Sequence, residues 1–250
     1  MSERIESVAV ETLEAPGAVG AAATHARLAY FAIALAIAGI VAWGFWETYY
    51  SRFSERADLP SIVHLHAAVF SIWVIVFVAQ AAVVVAGNLR LHRQLGAAGM
   101  IYGASVFAIG VLVSIGAPAL RVRARFYDLD VGGVIVLYNL ADMLLFGAFL
   151  ALAFVRRNRP ELHKRWIIAA TAALCGAAIG RVLPGNTLEY LLVWLSPILA
   201  MVAVDLVARR RVHSIPIVSG ALVILAFFKV PLLAAPIWRA IGASLLRPFV

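Results

Sequence analysis

The feature that most constrains this chain is a repeated one: seven times it runs through close to twenty consecutive, mostly apolar residues, separated by short polar stretches. A helix needs about 20 such residues to cross the hydrocarbon core of a bilayer. The segments lie near residues 28–48, 62–86, 95–117, 131–155, 166–182, 188–208 and 215–237, the fifth being short. Inside lipid every backbone group must find its partner within the structure, which leaves helices and closed barrels. Barrel strands would alternate apolar and polar positions over about ten residues. These runs are continuously apolar, so the expected fold is all-α, a polytopic transmembrane bundle of about seven helices. Short loops make neighbours in the chain antiparallel.

Composition agrees. Of 250 residues 64% are hydrophobic and only 14% charged, whereas a soluble domain carries about 25% charged residues. One cysteine, Cys175, excludes a disulfide scaffold. The net charge of +8 is read through the bias of cytoplasmic loops toward Lys and Arg, not as a nucleic-acid footprint. With Lys229 set aside inside the seventh segment, twelve basic residues fall on the side of the N-terminus and eight on the other. A cytoplasmic N-terminus in the bacterial inner membrane is therefore expected. Residues 1–27, with Glu3, Glu6, Glu11 and Glu14 among small residues, read as a mobile cytoplasmic tail without signal-peptide character, ahead of a transmembrane domain over 28–250. The first helix would then act as an uncleaved insertion signal. Trp43, Trp46, Tyr49 and Tyr50 would anchor its outer end, and Trp238 that of the seventh helix. Gly99 and Gly103, and the series Ala172, Gly176 and Gly180, give small-residue faces suited to close helix packing.

Polar side chains inside apolar spans are costly, and each is a functional candidate. In the expected topology His64, His66, Arg181 and Lys229 lie toward the outer end, and Gln80, His92, His163 and Asp205 toward the cytoplasmic end. Asn139 and Asp142 sit near mid-membrane, three residues apart and on one helix face. His66, Trp73 and Gln80 recur every seven residues along a stripe expected to face the interior. His64 points about 200° away from His66 on a helix but to the same side in an extended segment; both geometries are open. His92 and His163 form the best pair for a b-type haem, imidazole being a good iron ligand; the plainer role is to anchor helix ends at the interface. His64 and His66 with an acid such as Glu189 would make a three-ligand metal set. Asp142 and Asp205 suit proton or cation relays, or neutralise Arg181 and Lys229, although Lys229 can also snorkel outward. No nucleophile motif or phosphate-binding glycine loop is present, and Cys175 reads as packing.

The residues Val63-His-Leu-His-Ala-Ala, then Phe70, Trp73, Gln80, Gly87 and Leu91-His-Arg-Gln-Leu-Gly96, with Arg159-Pro-Glu-Leu-His-Lys-Arg-Trp166 and Arg181, carry a resemblance. Over roughly residues 30–210 the chain resembles a family of uncharacterised bacterial multi-pass inner-membrane proteins. That likeness implies the multi-span fold and makes His64, His66, His92 and His163 part of a recurring pattern, and it implies no substrate. In overall plan the chain is more distantly similar to cytochrome b561-type proteins, but it lacks their two pairs of histidines embedded on four consecutive helices. Three functions follow as expectations: a haem-binding or redox-related module, a small ion-coupled transporter using Asp142 and Asn139, or a non-catalytic assembly scaffold. Its partners would be the lipid bilayer and other membrane proteins, with no nucleic acid.

Overall fold

The computed structural model describes residues 16–56, 59–183, 187–233 and 235–250, and every regular element among them is helical. Helix α1 (Pro16–Phe45) passes directly into a π-helical turn, Trp46–Tyr50. It is followed by α2 (Ser61–Val85), α3 (Leu89–Arg123) and α4 (Leu129–Val155). Next come α5 (Pro160–Ala173), α6 (Cys175–Ile179) and α7 (Leu188–Arg209). The chain ends in α8 (Ser214–Phe227), α9 (Lys229–Leu233) and α10 (Pro236–Leu246). Residues 16–27, expected in the tail, are thus helical, and residues 1–15 lie outside the described residues.

Helix starts follow from local chemistry. Asn88 and Asp128 accept the backbone N–H groups of Leu91 (3.0 Å) and Val131 (2.7 Å). Thr187 caps α7 through Tyr190 N–H at 3.3 Å. Each side-chain oxygen satisfies a donor that the first helical turn would otherwise leave open. Between α2 and α3 the chain reverses at Gly87, whose φ of +76° is open to glycine at little cost.

Among the described residues five helices are long and apolar enough to cross a membrane: Thr24–Tyr50, Ser61–Val85, Leu89–Arg123, Leu129–Val155 and Leu188–Arg209. The other two expected spans are interrupted, which corrects the picture of seven unbroken helices. The fifth breaks at Leu174, whose N–H bonds Thr171 O three residues back. The nearby carbonyls of Ala172 and Gly176 accept from the side chains of Trp194 (3.0 Å) and Tyr190 (2.9 Å) on α7. The seventh breaks at Phe228 and again before Pro236. Pro236, the first residue of α10, has no N–H with which to continue the helix before it.

Consecutive helices pack side by side, and α5–α6 lies at the centre against α1, α4, α7 and α8. Ala169, Ala170, Ala172, Cys175 and Ala178 are fully buried there. Two crossings are close enough that only a missing Cβ permits them: a Cβ on Gly44 would strike the backbone of Ala178, and one on Gly133 that of Ala243 on α10. Gly103 has a different use, admitting the side chains of Trp73 and Leu150. Outside, Ile101, Leu112, Leu144, Val207 and Leu225 are exposed, Val207 to 86%. A belt of this kind suits lipid better than water.

Candidate functional site

The polar side chains gather in three layers. The first lies at the end that holds the α4–α5 and α7–α8 turns. Arg165 and Asp205, each 1% exposed, form an ion pair between α5 and α7. Arg165 also donates to the Glu161 side chain (2.8 Å) and carbonyl (2.7 Å), while Lys164 and Arg209 converge on the same carboxylate. The second Asp205 oxygen accepts His213 N–H at 3.0 Å, and His213 Nδ1 caps α8 through Ile215 N–H. Tyr30 of α1 lies under the Lys164 ammonium at 4.3 Å. Four helices are therefore tied at one point. Burial alone would raise the Glu161 carboxyl, but hydrogen bonds from Arg165 and Lys164 and the charges of Lys164 and Arg209 outweigh it and hold it at about 2. Burial and the Arg165 charge push the His213 imidazole below its usual range.

At the same end the structure brings together three residues singled out from sequence: Gln80 of α2, His92 of α3 and His163 of α5. The two imidazole centroids are 6.4 Å apart with planes at 72°. His163 Nδ1 lies 2.9 Å from Ala153 O. A carbonyl only accepts, so this nitrogen is the donor, and the neutral ring carries its lone pair on Nε2. Gln80, with its amide turned to suit its neighbours, donates to His92 Nδ1 (2.6 Å) and the His92 carbonyl (3.1 Å), and accepts from Gly96 N–H (3.2 Å). His92 Nδ1 is then an acceptor, and its proton sits on Nε2.

The middle layer was only half visible in the sequence. Lys229, the first residue of α9, does not snorkel: its ammonium donates to Asp142 of α4, and both residues are buried. The same ammonium lies 3.7 Å from the Tyr138 ring centroid and 5.8 Å from that of Trp194. The Tyr138 hydroxyl meets that of Tyr190 at 3.5 Å, and Tyr190 continues to Gly176 O. Helix α4 thus supplies Asp142 and, one turn earlier, Tyr138; α7 supplies Tyr190 and Trp194; the interrupted α8–α10 path supplies the cation. Asn139 is half-buried nearby and makes no hydrogen bond in this network. Spacing did contain a clue, since Tyr138 and Asp142 are four apart and share a helix face.

The third layer is at the opposite end. Because α2 already begins at Ser61, His64 and His66 leave it in different directions. His64 Nδ1 bonds Tyr49 OH at 2.9 Å, and the His66 ring stacks on Phe70 with centroids 4.1 Å apart. Tyr50 OH bonds Ser71 at 2.7 Å, so both tyrosines of the π-helical turn face α2. With Phe53, Ala67 and Ala68 they line an open apolar pocket of about 350 Å3. Arg181 donates to Ala177 O and lies over Phe45 at 4.2 Å. Glu189 stands apart, exposed at the start of α7. Among the described residues no three His, Cys, Asp or Glu side chains are grouped to hold a metal, so His64, His66 and Glu189 are not brought together as a ligand set.

Fold and layers together define a helical membrane protein with an ion pair buried at its centre. Compared with known proteins, the chain matches no family model, no curated protein and no solved structure.

Proposed function

We propose that this chain is a seven-span protein of the bacterial inner membrane, N-terminus in the cytoplasm, that works as a small ion-coupled transporter with Asp142 and Lys229 as its exchange site. The observation that carries the reading is the Asp142–Lys229 pair lying where an interrupted helix meets an unbroken one. Ionisable groups at membrane depth are expensive and mark ion or substrate paths. Interrupted helices at mid-bundle are a recurring device of secondary transporters, because the free backbone and short segments serve binding and movement. Seven spans result when α5–α6 and α8–α10 are each counted as one crossing, and the basic residues then give the orientation. The test is a proteoliposome assay in which an internal pH dye follows proton movement against outward gradients of monovalent cations. Coupled pH changes are expected, and Asp142→Asn removes them. Absence of a pH response to every cation, with identical traces for Asp142→Asn, sinks the proposal.

A second reading, a haem-binding or redox-related module, is favoured by the approach of His92 and His163. His163 suits an iron ligand, since its Nδ1 is held by a carbonyl and its Nε2 is free. His92 suits one only after its Nε2 proton is lost, which requires the Gln80 amide to turn. Bound haem would supply one-electron chemistry. A Soret band that disappears in His163→Ala supports this reading; a colourless preparation with no extractable haem removes it. A scaffold without transport or colour is the outcome if both assays are silent.

A further inference from the structure

The surroundings of Lys229 have the composition of a receptor for an organic cation, and Lys229 itself fills it. Its ammonium has one carboxylate partner, Asp142, and faces the ring of Tyr138 at 3.7 Å and of Trp194 at 5.8 Å. Tyr190 backs these rings, 5.7 Å from Trp194 between centroids and 3.5 Å from Tyr138 between hydroxyls. Aromatic faces around a cation, with one anion to balance it, are the features that recognise quaternary and alkyl ammonium groups. Hard inorganic cations need a shell of several oxygens instead, whereas the ammonium here meets, beside Asp142, the faces of Tyr138 and Trp194.

We infer that the Asp142–Lys229 site accepts an organic monocation of the alkylammonium class in place of the Lys229 ammonium, one cation exchanging for one proton. The inference rests on the transport reading above and names the substrate class of that site. Lys229 breaks one N–H bond, gives the proton to water and remains as a neutral amine. The incoming cation takes its place against Asp142 and the Tyr138 face, so the charge of the site is unchanged. Returning the proton to Lys229 expels the cation. Lys229 opens a five-residue helix that begins directly after the break at Phe228, so the ammonium can withdraw without unwinding a long span. The titratable groups facing the exchange are Asp142 and Tyr138 from α4, Tyr190 from α7 and, behind Tyr190, Cys175 of α6.

The test uses the full chain and tetramethylammonium, which cannot carry a proton across the membrane itself. In weakly buffered solution each bound tetramethylammonium releases about one proton, and sodium binds at least roughly tenfold more weakly, the equivalent of about 1.4 kcal/mol. Lys229→Met still binds the cation, because Asp142 and the Tyr138 face remain. Tyr138→Leu weakens binding roughly tenfold while Tyr138→Phe retains it, as loss and retention of a cation–π face require. The double variant Asp142→Asn/Lys229→Met removes both charges together, keeps the fold and binds nothing. Equal tetramethylammonium affinity in that double variant overturns the inference. Proton exchange in proteoliposomes driven by sodium or potassium but not by tetramethylammonium also overturns it while leaving the transport reading intact. No response to any cation overturns both.

Discussion

Asp205→Ala provides a quantitative test of how the bundle is held at the end that carries the α7–α8 turn. Asp205 and Arg165 are each 1% exposed, so the substitution leaves a guanidinium buried without its main partner. Breaking a buried pair from one side costs about 3–5 kcal/mol. The bond from His213 N–H at 3.0 Å is lost as well, adding roughly 1 kcal/mol. Against this, Arg165 keeps its two bonds to Glu161, which favours the lower end, about 3–4 kcal/mol in all. At about 2–4 °C per kcal/mol for a chain of this size, the melting temperature falls by roughly 6–16 °C. Cys175 is the only cysteine and is fully buried, so a thiol-reactive fluorophore reports unfolding during a thermal ramp in detergent. The companion variant, Arg165→Met/Asp205→Leu, exchanges the pair for apolar groups and recovers most of the loss, because well-packed hydrophobic replacements of buried pairs are often neutral. A shift under about 2 °C for the single variant, or a double variant no more stable than the single, refutes the reasoning.

Acid has a predictable sign at the same cluster. Folding holds the Glu161 carboxyl at about 2, below its ordinary 4.5, so the stability it contributes is complete above 4.5 and lost as pH falls toward 2. His213 is also depressed from 6.5, so its contribution is complete above 6.5 and declines below it. Melting temperature should therefore fall on acidification from about pH 6.5, with Glu161→Gln removing the lower stage; a rise in stability between pH 7 and 5 contradicts this. Gly133→Val drives a side chain into the backbone of Ala243 and should cost at least about 1–3 kcal/mol. Trypsin should then cut at Arg239 on the loosened α10, and unchanged melting and cleavage would show that the α4–α10 crossing has slack. Maleimide should leave Cys175 unmodified in the folded protein, and rapid native labelling would show that the α5–α6 packing opens.

Helical character was legible because it depends on short sequence distances. The first-layer ion pair instead joins Arg165 to Asp205, 40 residues apart, and only Asp205 stood out as a polar group in an apolar run. Apolar runs define the five long helices, and Asp128 beside an apolar stretch announces α4. His92 and His163 could be paired from topology alone, since short loops place the start of α3 and the start of α5 at one end of the bundle. The break at Leu174 was not legible, because no proline or glycine occupies that position. It depends on Tyr190 and Trp194, which reach it from a separate helix and draw off nearby carbonyls.

Lys229 shows why neutralisation by an aspartate stood in the sequence only as one alternative beside snorkelling. In a span ending near residue 237 it lies close to the outer end, and snorkelling is the cheapest outcome there. The helix instead breaks at Phe228 and again before Pro236, and α10 carries the path on to Leu246. Because α10 lies against α4 toward that helix's first turns, with Gly242 at Gly133, the whole path shifts along α4. Lys229 then falls near the middle of Ser214–Leu246, level with Asp142 near the middle of Leu129–Val155. A lysine at that depth is too far from the interface to snorkel, so its burial is offset by a carboxylate and an aromatic face. The break before Pro236 and the seat of α10 on α4, neither visible in hydropathy, are what bring the pair level.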